Sequence, residues 1–263
     1  MIMRKSALYI GMLLTLLLTG CRTDLKLAKS YIEERRGIQA AVYFPEKAEV
    51  KVEYNSRLNK KTEVLNDFSQ DLFLDLMYNA YADAMGAYGV RVYIPENIDN
   101  VRVDSLHWLV MLSRMEISGR ITEYEDYLFS DTDQYSYTYP LNTVNVASWF
   151  EINDGEWKPV LFCEHNLIDG FDSYTDYSFW TGQLDYNYSI DTLKIKDVYN
   201  YAVYLGKLYA GYTYDYMMNH YVGAEMKKKN LDYMNRYLLR YDPYKKELRY
   251  AEDDDRFIEI GGN

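Results

Sequence analysis

The stretch Leu106-His107-Trp108-Leu109-Val110-Met111-Leu112 is apolar at nearly every position. A strand buried on both faces has this composition, whereas a half-exposed strand alternates apolar and polar residues. Between residues 113 and 124 the pattern becomes alternating, with Met115, Ile117 and Ile121 on one side. The sequence therefore predicts one long strand over 106–124, which is central in a sheet at its start and solvated on one face at its far end.

Two long segments have the three- and four-residue apolar spacing of a helix that buries one face. The first runs from Val64 to Tyr88 and the second from Asp197 to Tyr221. Gly223 follows the second, and the pattern predicts a third helix from Ala224 to Arg240. Asp242-Pro243 then breaks the helical pattern, and short strands are predicted at 247–250 and 256–260.

Short apolar runs at 40–44 and 90–94 predict two further strands, and alternating runs at 135–152 and 157–165 predict an antiparallel pair. Asn153-Asp154-Gly155-Glu156 separates the last two, and Asp-Gly is a strong hairpin signal. The predicted fold class is α+β, with a mainly antiparallel sheet, two long helices packed on one face and a helical C-terminal extension. The globular domain is expected at 38–222 and a helical or irregular extension at 223–263.

The N-terminus has a different composition from the rest of the chain. Arg4 and Lys5 precede a short apolar run from Ala7 to Leu18, and Thr19-Gly20-Cys21 follow. The run is shorter than the roughly 20 residues that span a bilayer, and it has the form of a secretory signal. We expect a signal peptide at 1–20, followed at 21–37 by a polar tether that could include a short helical start to the domain.

Leu18-Thr19-Gly20-Cys21 resembles the lipobox of bacterial lipoproteins at every position. The resemblance implies a diacylglyceryl thioether on Cys21 and an acylated amine at the new terminus, and two or more acyl chains anchor a protein stably. Arg22 stands where lipoproteins retained in the inner membrane often carry Asp, so the resemblance implies transfer to the outer membrane. Only Asp24 is acidic in the following segment, which favours the periplasmic side over the cell surface.

The order of elements over residues 38–222 resembles the periplasmic domains of envelope-assembly lipoproteins. Examples are the auxiliary lipoproteins of ABC-type lipid transporters and the curli-export lipoprotein. This resemblance rests on element order and on the lipobox, and it implies no catalytic residue.

The charge limits the classes of partner. Without Arg4 and Lys5 the mature chain would carry 27 of the 29 basic residues and all 40 acidic ones, a formal charge of −13. This charge disfavours nucleic acid and anionic lipid headgroups as partners. The 30 tyrosines have two interpretations, an adhesive surface or a tyrosine-rich core with half-buried sheet faces, and their even spread favours the second.

Candidate catalytic and metal-binding residues are few. Cys163 and His165 would share one strand face, but a lone cysteine without a disulfide partner is more often a buried apolar residue. His107 is expected to be a hydrogen-bonded core or sheet histidine, and His220 to lie near a helix end. Asp169, Asp172 and Asp176 could hold calcium but lack the spacing of a calcium loop. We therefore expect no catalytic residue, no metal and no cofactor.

Residues 166–189 are rich in Tyr, Asp, Ser and Gly and predict a long loop or an irregular hairpin. Its candidate ligand-binding residues are Asp172, Tyr174, Asp176, Tyr177 and Trp180, and Trp149 and Trp157 are further stacking candidates. The expected function is that of a non-enzymatic, lipid-anchored envelope protein that docks a partner in outer-membrane assembly or transport through 113–124 and 171–188. The alternative is a surface-exposed lipoprotein that binds a glycan or another ligand through 171–188.

Overall fold

A computed structural model describes residues 23–34, 37–129, 134–153, 155, 159–231, 239–251 and 258–262. Residues 1–20 and Cys21 therefore lie outside the described residues, as does Trp157. The class is α+β. Among the described helices, none is both long enough and apolar enough to cross a bilayer.

The bounds of the elements are as follows. The helices are α1 (residues 23–34), α2 (Gln70–Ala87) and α3 (Ile195–Lys228), with a short 3₁₀ helix at Ile98–Asn100. The strands are β1 (Gln39–Tyr43), β2 (Glu49–Val52), β3 (Tyr54–Asn55), β4 (Lys60–Lys61), β5 (Arg91–Tyr93), β6 (His107–Phe129), β7 (Gln134–Asn153), β8 (Pro159–Ile168), β9 (Gly170–Ser178), β10 (Gln183–Asp191), β11 (Leu239–Asp242), β12 (Glu247–Tyr250) and β13 (Ile258–Gly262).

The long strand predicted at 106–124 is confirmed as β6, and it extends five residues further, to Phe129. The central sheet has the strand order β13-β8-β7-β6-β1-β5, and β2 also pairs with β6. The β6–β7, β7–β8 and β8–β13 ladders are antiparallel, while β1 pairs with β5 and β6 in parallel and β2 pairs with β6 in parallel. The sheet is thus mixed, because the chain returns to β5 and β6 through crossovers instead of tight turns.

Helices α2 and α3 lie side by side and run in the same direction. Ser69, which caps α2, donates its backbone N–H to the Tyr199 hydroxyl near the start of α3. Tyr81 lies two-thirds of the way along α2, and its hydroxyl donates a hydrogen bond to the Thr213 hydroxyl of α3. Between these contacts the backbones approach closely at Gly206, which lies against Met77 and Ala80. The apolar faces of both helices belong to one hydrophobic core with sheet residues such as Phe150.

Residues 23–34 of the predicted tether form α1, so the helical start of the domain takes up most of this segment. Leu27, Ala28 and Tyr31 are buried in the core, and the Tyr31 ring contacts Tyr214 and Tyr221 of α3. The three side chains recur at the spacing of one helix face. Their burial outweighs the charged residues on the opposite face, so this segment belongs to the folded domain.

The predicted helix boundary at Gly223 and the third helix at 224–240 also need correction. Helix α3 continues through Gly223 to Lys228, and it ends where Asn230 adopts a left-handed conformation with φ 56°. The N–H of Leu231 then bonds to the Met226 carbonyl, which closes the helix end. Residues 239–242 form β11, which pairs with β12, so the boundary expected between a domain at 38–222 and an extension at 223–263 falls inside one helix.

The predicted strand at 247–250 is confirmed as β12. The second predicted tail strand, at 256–260, overlaps β13, which pairs with β8 at an edge of the central sheet. The C-terminal part of the chain therefore contributes to the main fold.

The close approach at Gly206 gives a test of the helix pair. A Cβ atom at this position would clash with the Met77 carbonyl oxygen and lie 3.0 Å from both Ala80 Cβ and Tyr81 N. We expect Gly206→Ala to lower the free energy of unfolding by about 2 kcal/mol or more, since backbone cannot yield as a flexible side chain can. Chemical denaturation of the mature chain would measure this loss.

Gly86→Ala is the matched control, because a Cβ at Gly86 in α2 meets nothing within 4 Å. Alanine in a helix interior is more stable than glycine by about 0.5–1 kcal/mol, so this variant should be neutral or more stable. Equal effects of the two substitutions would contradict the close packing of α2 on α3.

Candidate functional site

The far halves of β6 and β7 extend beyond the rest of the sheet. Strand β8 pairs with β7 only as far as Thr143, so from Asn142 to Gln134 strand β7 has β6 as its partner. Residues 170–191 form a regular antiparallel hairpin, β9–β10, where the sequence predicted a long loop or an irregular hairpin. We call residues 120–129, 134–142 and 170–191 together the arm.

Aromatic rings hold the two hairpins of the arm together. The Tyr137 and Tyr186 rings are stacked, with centroids 4.6 Å apart and an angle of 3° between their planes. Two residues further along each strand, the ring centroids of Tyr139 and Tyr188 are 4.5 Å apart. Phe171 contacts Tyr139 at 4.9 Å. Aromatic pairs of this kind contribute about 0.5–1.5 kcal/mol each beyond the area that they bury, so they can fix one hairpin on the other.

A carboxylate adds polar contacts to the aromatic interface. Asp126 of β6 accepts hydrogen bonds from the Ser173 hydroxyl and the Tyr186 hydroxyl through the same oxygen, each at 2.7 Å. These two donors lower the pKa of Asp126, the Ser173 bond having the larger effect. Because bonds to an ionised acceptor are directional, they specify how β9–β10 is aligned along β6.

A second carboxylate fixes the base of the arm. Asp169, which is only 5% exposed, lies between β8 and β9. One of its oxygens accepts the Leu193 N–H at 2.8 Å, and the other accepts the backbone and side-chain N–H groups of Asn142 at 2.7 and 2.9 Å. Asp169 therefore joins β7, the start of β9 and the segment that leads from β10 into α3.

The tip of the arm is a four-residue loop, 179–182. Gly182 has φ 63° and donates its N–H to the Ser178 carbonyl at 2.8 Å, which closes the loop. A glycine adopts this left-handed conformation without steric cost. Phe179 and Trp180 occupy the first two loop positions with exposures of 84% and 95%, and their rings meet edge to face. The tip thus presents two large aromatic side chains to solvent.

The structure distributes the five candidate ligand-binding residues over two faces and the tip. Asp172, Tyr174 and Asp176 alternate along β9 and lie on the face that points away from β6 and β7, since Phe171 and Ser173 point towards those strands. Tyr177 has the opposite orientation, and it is exposed. Trp180 lies in the loop. The residues do not form one flat stacking platform.

Of the other predicted binding residues that the structure describes, 113–119 and Trp149 lie in the body of the sheet, and 120–124 belong to the arm. In 113–124, Arg114 forms an ion pair with Glu49 of β2 and Glu116 forms one with Lys51 of β2, and the Arg114 side chain remains 51% exposed. The Arg114 guanidinium lies 4.8 Å from the Trp149 ring centroid. Trp149 also contacts Phe162, which makes it part of the outer sheet surface and leaves it half-buried.

Cys163 and His165 share one face of β8, as expected, and this face lies under α3. The Cys163 thiol is buried, and burial raises its pKa to about 12. The His165 ring packs beside Tyr209 and Tyr212, and burial lowers its pKa. The thiol is therefore protonated at neutral pH and closed to solvent, whereas a reactive cysteine is an accessible thiolate.

The remaining candidates have structural contacts. His107 Nδ1 lies 2.8 Å from the Asp104 carboxylate, which confirms a hydrogen-bonded sheet histidine, and His220 packs edge to face on Trp108. The Asp169 carboxylate is engaged with backbone and amide N–H groups, and Asp172 and Asp176 lie on β9. Within the described ranges no three His, Cys, Asp or Glu residues are grouped as a metal site requires.

The tyrosines divide between core and arm. Tyr81, Tyr209 and Tyr214 are among those buried in the core, which confirms a tyrosine-rich core. The aromatic interface of the arm was not predicted, although Tyr135, Tyr137 and Tyr139 alternate in β7, and so do Tyr186 and Tyr188 in β10. Phe179 at the tip and the structural role of Asp169 were not predicted either. The tyrosines had a period-two signal, but no local pattern marks which of several aspartates is buried.

Comparison with known proteins adds no relative. No family model matches the chain, and no curated protein and no solved structure is significantly similar to it.

Removal of the Asp169 carboxylate tests its role at the base of the arm. We expect Asp169→Ala to lower the free energy of unfolding by about 3 kcal/mol, since three N–H groups lose a charged acceptor and the backbone donors stay buried. The amides of residues 170–191 should exchange with solvent faster. Urea denaturation and hydrogen–deuterium exchange would measure the two effects.

Asp172→Ala removes the same charge three residues away, on the exposed face of β9. An exposed substitution of this kind changes stability by about 0.5 kcal/mol or less. If both variants behaved alike, Asp169 would not be the residue that fixes the arm.

Proposed function

We propose that the protein is a lipid-anchored, non-enzymatic accessory protein of the cell envelope that docks a partner in outer-membrane assembly or transport. The observation that carries the proposal is the arm, whose tip exposes Phe179 and Trp180. Tryptophan residues at the centre of an interface often supply much of the binding energy, and an exposed aromatic pair on an ordered hairpin is available for such a contact.

The lipobox resemblance supplies the anchor in this proposal. Lipid on Cys21 would be separated from α1 by Arg22 alone, because residue 23 is already helical. With so short a connection the domain would lie directly against the bilayer. Arg22 favours the outer membrane over the inner membrane, and the lack of an acidic run after Cys21 favours the periplasmic face.

The fold supports a separation of anchor and tip. Helix α1 contacts the C-terminal half of α3 through Tyr31, Tyr214 and Tyr221. The N-terminal end of α3 lies at the base of the arm, where Leu193 bonds to Asp169. In the proposal, two long helices cover one face of the sheet between these ends, and the arm extends away from the membrane.

A surface-exposed glycan- or ligand-binding lipoprotein is the second candidate. The exposure of Tyr174, Tyr177 and Trp180 favours it, because aromatic rings stack on sugars, and Asp172 and Asp176 could bond to hydroxyl groups. Their distribution over two faces and the loop favours protein docking over a flat sugar platform. Protease treatment of intact cells separates the two, since a protein that is inaccessible from outside cannot capture an external glycan.

In-cell photo-crosslinking tests the proposed function. A photoreactive phenylalanine analogue in place of Phe179 should form an adduct with another protein, because this side chain lies at the tip. The same analogue in place of Tyr204, which is 54% exposed on α3, should give little or no adduct. Immunoblotting and mass spectrometry of the adduct would identify the partner.

The anchor is checked in the same cells. Radiolabelled palmitate should enter the wild-type chain and the Cys163→Ser variant, and it should be absent from Cys21→Ser. A polysaccharide adduct at position 179 would favour the second candidate, and adducts of equal yield at 179 and 204 would remove the special role of the tip.

A further inference from the structure

The hairpin β9–β10 has an unusual charge for its length. Residues 170–191 contain four aspartates and no lysine, arginine or histidine. Cross-strand partners share a face in an antiparallel pair, and the register places Asp172 opposite Ser189, Tyr174 opposite Asn187 and Asp176 opposite Asp185. Since the other face carries Phe171, Ser173 and Tyr186 against β6 and β7, the acidic residues lie on the outer face of the hairpin.

Asp176 and Asp185 are directly opposite each other in the hairpin. They place two carboxylates together at the end of the outer face. A cationic surface placed against this end would be attracted by both. The pair is next to the tip, because only Tyr177 and Ser178 separate Asp176 from Phe179.

We infer that the outer face of β9–β10 and its tip dock a protein surface that carries lysine or arginine side chains around an apolar recess. Trp180 and Phe179 enter the recess, and Asp172, Asp176 and Asp185 face the cations. This inference rests on the proposed function and specifies the chemistry of the partner. Charged groups at the edge of an interface steer association and make it dependent on salt, while a central aromatic residue supplies affinity.

Other occupants fit these residues less well. An anionic bilayer would be repelled by the four aspartates, even though aromatic residues such as Trp180 favour membrane interfaces. A second copy of the hairpin presents the same acidic face, so that self-pairing would bring like charges together. A neutral glycan could use individual carboxylates as acceptors for its hydroxyl groups, but it gives no reason for the absence of any basic residue from 170–191. A basic protein surface is compatible with both the aromatic tip and the charge.

The test uses the full-length lipidated chain in detergent micelles and the purified protein that crosslinks at position 179. Affinity is measured by titration calorimetry at about 50 mM and about 300 mM salt, since screening lengths differ strongly between them. The wild-type affinity should fall roughly tenfold at the higher salt. Asp176→Asn with Asp185→Asn should weaken binding roughly tenfold at low salt and remove most of the salt dependence.

Two further variants separate charge from apolar contact. Trp180→Ala should weaken binding by a similar factor at both salt concentrations. Asp75→Asn with Asp83→Asn removes the same two charges from the exposed side of α2, and it should leave affinity within about twofold of wild type. This double variant controls for net charge.

The outcomes distinguish this inference from the proposed function. The crosslinked protein could bind the Asp176→Asn, Asp185→Asn double variant as tightly as wild type, or lose as much affinity for the α2 double variant. Either result contradicts the inference and leaves the docking proposal standing. An adduct with a second copy, with lipid or with polysaccharide contradicts the inference directly. The absence of any adduct removes both.

Discussion

The buried Asp169 carboxylate is the contact on which the arrangement of this molecule depends. It accepts three N–H hydrogen bonds at the point where the sheet, the hairpin β9–β10 and the start of α3 meet. Aromatic stacking and the hydrogen bonds of Asp126 also hold the hairpin on β6 and β7, but they lie further out along the arm. A buried carboxylate is costly unless its oxygens are satisfied, so this one favours a single geometry of the arm base.

The helical layer relates that base to the N-terminus. Gly206 lets α2 and α3 approach closely, and α1 packs on the far half of α3 through Tyr31. The segment that follows Cys21 is consequently part of the core. If Cys21 carries lipid, the domain has almost no freedom to move away from the bilayer, and the length of the arm sets how far its tip extends. The distance of the tip from the membrane would then be set by the fold of the domain.

The sequence was most informative where apolar periodicity is long and unbroken. It predicted β6, the two long helices, the antiparallel pairing of β6, β7 and β8 and the α+β class. It failed where tertiary contacts outweigh local composition. Residues 23–34 are mostly polar or charged, yet Leu27, Ala28 and Tyr31 find a core to enter. Gly223 does not end α3, because Val222 before it and Met226 one turn after it are both buried in the core.

The candidate site was also predictable only in part. Trp180 could be named from the sequence, since it lies in a Tyr- and Asp-rich segment. The regular hairpin could not, because strands rich in Asp, Ser and Asn have weak intrinsic β preference and this one is stabilised by rings from β7. Nor does composition tell which of Asp169, Asp172 and Asp176 is buried. That depends on Asn142 and Leu193, both more than 20 residues away from Asp169 in the sequence.

The central proposal is that lipid on Cys21 holds the domain against the membrane next to α1 and that the arm extends away from the bilayer. Energy transfer from a thiol-linked donor to acceptors in the bilayer tests it, with the lipidated Cys163→Ser chain labelled at Thr181→Cys in the tip or at Lys26→Cys in α1. The geometry of α3 and of the extended strands puts the tip about 50 Å or more from the anchored end. Strong transfer from position 26 and weak transfer from position 181 is the predicted result, and equal transfer from both would contradict the account.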